Sequence, residues 1–144
     1  MEWKDFSESS VEYPEKIVSD TIEGFSKATK GLAEIVITEL NDVSSVLSNL
    51  STEFNYAVYL KSDMVSQYRM KIFTFGYNVE LLPISVNLNK DIYFEIHKKN
   101  KATNTTLELK TESDFKLYLQ AIFSSQHFKK VVGGLLKIAK KVEK

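Results

Sequence analysis

The sequence predicts an α+β fold with a long N-terminal helix, a central antiparallel sheet and two C-terminal helices. Apolar residues recur at helical spacing from Val18 to Phe54, alternate in short runs between about residues 55 and 110, and return to helical spacing towards the C-terminus. With 43% hydrophobic and 26% charged residues, the 144-residue chain has the make-up of a globular domain.

Residues 1–13 are acidic and Ser-rich and are expected to be loosely ordered, with Trp3 and Phe6 as their apolar anchors. The rest, 14–144, reads as one α+β domain. Tyr13-Pro14-Glu15 has the form of a helix start. Pro14 lacks an N–H that the first turn would leave unpaired, and Glu15 favours the positive end of the helix dipole.

From Val18 the apolar stripe runs through Ile22, Phe25, Leu32, Val36, Leu40, Val43, Leu47, Leu50 and Phe54, with Thr29 filling the gap; its ten steps of three or four average 3.6. One helix of that length would span about 54 Å. Gly24 and Gly31 each cost about 1 kcal/mol in a helix interior. They place a kink at Gly24–Gly31, or divide the helix near residues 14–29 and 32–51. Ile22, Phe25, Leu32, Val36, Leu40, Val43 and Leu47 are the candidate partner-binding face. Gly24, Ala28 and Gly31 also share a face that would admit another backbone, with a kink or a cap as the plainer explanation.

The period then changes to two. Tyr56–Leu60, Arg69–Phe75, Val79–Leu88, Ile92–His97 and Thr105–Lys110 read as four to five strands, over about residues 55–110. Pro83 cannot donate to a ladder, so its strand is expected at an edge or bulged there. Asn87–Asp91 reads as a turn and Lys98–Asn104 as a loop. Short links favour an antiparallel meander, since parallel pairs need crossovers of about a dozen residues. Thr111-Glu112-Ser113-Asp114 is a helix N-cap with acids in its first turn. The helix it opens runs to about Ser124, and a last helix carries the apolar residues from Phe128 to Val142.

Nineteen basic and nineteen acidic residues leave no net charge, but they are unevenly spread: residues 1–60 carry −7 and residues 61–144 carry +7. The halves either attract one another within the fold or give its surface two poles. The absence of cysteine removes disulfides, zinc–thiolate sites and a cysteine nucleophile from consideration. The acidic opening Met-Glu-Trp-Lys-Asp-Phe is unlike a secretory leader and no apolar run nears a membrane span, so a cytoplasmic location is expected. The Lys-, Asn- and Ile-rich composition suits a bacterial or phage protein.

The tests for chemistry are sparse in return. No Gly-x-Ser-x-Gly elbow, Walker pattern or Gly-x-Gly-x-x-Gly occurs, and the acids are scattered singly. Gly133-Gly134 fits helix packing or a kink. Glu95 and His97, two apart on a predicted strand, would share a face and offer a carboxylate beside an imidazole; two surface polar residues near a strand end explain them as well. No catalytic residue, cofactor or metal is expected. Lys129, Lys130, Lys137, Lys140 and Lys141 on the last helix are candidate phosphate contacts, or a solvated face over a buried stripe. Lys98, Lys99 and Lys101 with Asn100 and Asn104 offer a second such loop. The many aromatics between Tyr56 and Phe94 either fill a core or form stacking platforms for single-stranded nucleic acid.

The expected function is therefore a non-catalytic protein-binding module, such as an inhibitor or immunity-type protein or a small subunit of a larger bacterial or phage assembly. Its partner would be another protein, or a second copy, bound through the N-terminal helix. The alternative is a nucleic-acid or membrane-surface accessory acting through the basic C-terminal helix.

Overall fold

The computed structural model describes residues 1–66, 68–99 and 104–143. Its elements run α1 (Pro14–Ile22), α2 (Phe25–Ala28), β1 (Glu34–Glu39), α3 (Asp42–Leu47), β2 (Phe54–Ser62), β3 (Tyr68–Tyr77), β4 (Ile84–Leu88), α4 (Lys90–His97), β5 (Thr106–Leu109), α5 (Glu112–Phe123) and α6 (Gln126–Glu143). The α+β class and the antiparallel meander hold: five strands lie in the order β1-β2-β3-β4-β5, each antiparallel to the next. Residues 1–13 form no helix or strand.

The long N-terminal helix is corrected. The chain leaves α1 after Ile22, turns through Gly24 at φ 86° and, after α2, through Lys30 and Gly31 at φ 56° and 76°. Successive left-handed residues end a helix, and glycine adopts that region at little cost. Beyond them Ile35-Val36-Ile37-Thr38 is a β-branched run, stiff at χ1 and suited to a pleated strand. The 3.6-residue stripe crossed this run at Val36 and reached Leu40 just beyond β1, a step of four that a period of two satisfies equally. Asn41 then starts α3, its side chain accepting the Ser44 N–H at 2.8 Å.

Two more expectations change. Ile92–His97 is helix, not strand, because Asn89 is an N-cap whose side chain accepts from the N–H groups of Asp91 and Ile92. The turn-forming residues before it were a cap, and Ile92, Tyr93 and Ile96 stand at helical spacing. Pro83 does not interrupt an edge strand; it precedes β4, which starts at Ile84 inside the sheet.

Strand register sorts the core. Tyr56, Val58 and Leu60 of β2, Phe73, Phe75 and Tyr77 of β3 and Ile84, Val86 and Leu88 of β4 share the face that carries the helices. There they meet Val18 of α1 and the buried Phe115, Leu119 and Ile122 of α5, with Phe75 and Phe115 rings 6.0 Å apart. Val58 pairs with Phe73 and Tyr59 with Lys71, which leaves Ile72 as a bulge residue. The freed Ile72 carbonyl accepts the Asn89 N–H at 2.9 Å, so the bulge also seats the start of α4.

On the opposite face Gly76 is required by close approach. A Cβ there would collide with the side chains of Thr52 and Asn55, which hydrogen-bond to each other above it. Nearby Thr74 is 1% exposed, and its hydroxyl is the buried side-chain polar atom without a partner among the described residues. Valine has the same shape without that unmet group, so Thr74→Val is expected to raise unfolding free energy by about 1 kcal/mol. Urea denaturation checks this; a loss of stability would mean that the hydroxyl is satisfied in solution.

Candidate binding cleft

α1 is tied to the sheet by a carboxylate. Glu15 accepts hydrogen bonds from Tyr56 Oη at 2.7 Å and from Tyr77 Oη at 2.8 Å. Burial first, then the bond to Glu15, pushes both phenols above their ordinary value, so they remain donors at any physiological pH. α6 is held at its first turn. Glu95 of α4 accepts the N–H groups of Gln126 and His127 at 2.6 and 2.9 Å, and Ser125 Oγ accepts that of Phe128 at 3.2 Å. Those backbone bonds hold the Glu95 carboxyl below the usual carboxylate range.

Between these two fixed helices an open cleft of about 620 Å³ remains. The end of α1 supplies Thr21 and Ile22, the turn into α2 Gly24 and Phe25, β1 Ile35 and the end of α5 Phe123. α6 closes the far wall with Phe128, Val132, Gly133 and Leu136, and the charged groups of the lining are Lys129 from α6 and Glu23 from the α1–α2 turn. The aromatic floor is interlocked: Phe123 and Phe128 meet edge to face at 5.3 Å, and Phe25 lies 6.1 Å from Phe128. Gly24 lets the chain reverse here, which swings Phe25 towards α6. Gly133 faces open space, with no atom within 4 Å of where a Cβ would stand, and so does Gly134. Neither glycine serves close helix packing, and Gly133 instead keeps the cleft open.

The seven stripe residues do not form one surface. Ile22 and Phe25 line the cleft, Leu32 is buried, and Val36 and Leu40 are half-buried on and beyond β1. Val43 and Leu47 stand 70% and 79% exposed on α3, a helix that turns Ser45 inward instead. Of the small-residue trio, Gly24 and Ala28 line the cleft while Gly31 does not. Sequence reasoning assigned Phe128, Val132 and Leu136 to a core and missed their second role. The available signal was the Gly133-Gly134 pair inside an otherwise apolar helix.

The other candidates are placed as follows. Lys129, Lys130, Lys137, Lys140 and Lys141 are all exposed on α6, while Phe128, Leu135 and Ala139 are buried beneath them. Lys129 and Lys130 flank a more polar recess shared with Asp91, Glu95, Gln126 and His127. Asn100 and Lys101 of the expected lysine loop lie outside the described residues. The sheet aromatics Phe73, Phe75 and Tyr77 are buried under the helices. On the outer face Tyr59 carries the Arg69 guanidinium 3.9 Å above its ring.

Glu95 and His97 do not form a pair, since residues two apart on a helix diverge. His97 Nε2 lies 2.8 Å from Tyr118 Oη, and its ring packs 4.2 Å from that of Tyr93. Among the described residues no three His, Asp or Glu side chains gather as metal ligands. No described helix is long and apolar enough to cross a membrane. Comparison of the chain with protein-family models, with curated proteins and with solved structures finds no match.

His97 gives the fold a pH dependence. Burial first, then the nearby Lys99 charge, lowers its pKa below the ordinary 6.5. The unfolded chain therefore takes up the proton more readily than the folded one, and stability falls as pH drops below 6.5 until the lowered native value is passed. His97→Gln keeps a partner for Tyr118 and removes the titration. The pH dependence of the melting temperature in that window is expected to flatten; an unchanged profile would place its source elsewhere.

Proposed function

We propose that this chain is a non-catalytic protein-binding module that receives apolar side chains of a partner in the cleft between the α1–α2 turn and α6. The observation that carries this reading is an open, aromatic-floored cleft whose walls are held by the Glu15 and Glu95 contacts. Apolar groups in such a recess escape water on several sides, and burying one large side chain contributes about 1.5–3 kcal/mol.

Concavity decides between this surface and the exposed apolar patch on α3. Val43, Val46 and Leu47 protrude from the six-residue α3, where a partner covers them from one side only. Interface hot spots concentrate in desolvated pockets, which favours the cleft. Its lining carries one acid, Glu23, and one base, Lys129, so any preference for acidic groups around the apolar anchors comes from the other exposed lysines of α6.

Gly133→Leu supplies the test. The position is helical and its Cβ meets nothing, so leucine gains up to about 1 kcal/mol of helix propensity while its side chain enters the cleft. Anilinonaphthalene sulfonate, an aromatic anion, is the probe. Its fluorescence titration is expected to show binding to the unaltered chain and roughly tenfold or weaker affinity for Gly133→Leu. Equal affinity for both, with the melting temperature maintained, would place the apolar site elsewhere.

A further inference from the structure

Upstream of α1 the chain carries two large apolar side chains that its own fold leaves uncovered. Trp3 and Phe6 are 76% and 77% exposed, yet their ring centroids lie 5.9 Å apart. Asp5 between them adopts φ 65°, a left-handed step that bends the chain there. The result is a two-ring knob on an acidic segment, with Glu2, Asp5, Glu8 and Glu12 against Lys4. The base of this arm is fixed, because the Glu12 N–H donates to the Glu112 carboxylate at 2.6 Å. That anchor stands at the start of α1, whereas the cleft opens at its end, beside Ile22.

We infer that the cleft receives the N-terminal arm of a second copy of this chain, with Trp3 and Phe6 filling the space beside Phe25 and Gly133. The inference rests on the reading of the cleft as a receptor for apolar side chains and names its occupant. Two arguments support a second copy. The first is charge: the arm is acidic, and although Glu23 offsets Lys129 in the cleft lining, α6 carries Lys130, Lys137, Lys140 and Lys141 along its exposed side.

The second argument is area. A Trp and a Phe each bury about 150–250 Å². One arm therefore covers about 300–500 Å², while the small exposed lining of the cleft adds only about 100 Å². Reciprocal exchange between two copies doubles this to about 800–1,200 Å², the size of a weak, reversible interface. The arrangement is isologous and closes on itself, so it stops at a dimer.

Sedimentation of the full-length chain, followed with the emission of its single tryptophan, Trp3, tests the inference. A dimer is expected to form with rising concentration, with Trp3 emission shifting to the blue and acrylamide quenching falling as it does. Gly133→Leu, and separately the Trp3→Ala/Phe6→Ala double variant, are expected to raise the dimer dissociation constant roughly tenfold or more. Mixing these two variants restores one arm–cleft contact, so a heterodimer forms at concentrations where neither variant dimerises alone.

A monomer at all concentrations with solvent-exposed Trp3 would overturn the inference. So would blue-shifted emission in a monomer, which would put the arm in its own cleft, or a dimer that survives both variants. If Gly133→Leu abolishes probe binding while the unaltered chain stays monomeric, the second-copy inference falls and the cleft reading stands. If probe binding ignores Gly133→Leu, both fall.

Discussion

Glu95 on α4 accepts hydrogen bonds from the first two N–H groups of α6, thirty-one and thirty-two residues further along the chain. Together with Ser125 it satisfies three donors that a helix start otherwise leaves to solvent. A carboxylate at this end also meets the positive pole of the helix. The 18-residue α6 is thus located by its first turn and by one buried stripe, Phe128, Leu135 and Ala139. That stripe leaves the side bearing Val132, Gly133 and Leu136 free to face the end of α1 across a gap. The clasp itself depends on α4, whose start is seated by the carbonyl that the β3 bulge releases. An irregularity of one residue in the sheet is in this way connected to the wall of the cleft.

The opposite wall has a different origin. Glu15 draws two tyrosine hydroxyls from neighbouring strands onto α1, and its three-way contact replaces the water that each group would otherwise hold. α1 then stops at Ile22, because Gly24 turns the chain before the helix can continue over α6. The charge asymmetry of the chain is only slightly consumed by folding. Among the described residues, the ion pair that joins the acidic half to the basic half is Lys61 with Glu34, at 3.2 Å. Most of both charge sets therefore remains at the surface, where it acts on partners more than on stability.

The parts of the fold legible in the sequence were those with a single consistent local signal. α5 and α6 announced themselves through Thr111 as N-cap and through long apolar stripes, and the central strands through period-two alternation. The N-terminal third was misread because two periods coincide at steps of four, so β1 was absorbed into a helical stripe. The β-branched run from Ile35 to Thr38 and the left-handed positions from Lys30 to Gly31 were the competing signals, and tertiary pairing with β2 decided for the strand. α4 was misread for a related reason, since Asn89 serves a turn and an N-cap equally well. The cleft was legible in two residues, Ile22 and Phe25. Its remaining walls come from three further elements, β1, α5 and α6, and no local pattern records which apolar side chains a fold leaves partly uncovered.

The dependence of the cleft on the Glu95 clasp is tested most directly by the dissociation constant of anilinonaphthalene sulfonate from Glu95→Ala. Glu95 does not line the cleft, so its removal acts through the first turn of α6, while the negative charge lost near Lys129 favours the anionic probe and works against the expected weakening. Several-fold weaker binding is expected, with the chain still folded by circular dichroism. Affinity equal to that of the unaltered chain would contradict the account, because the cleft would then stand without the contact from which its geometry is derived.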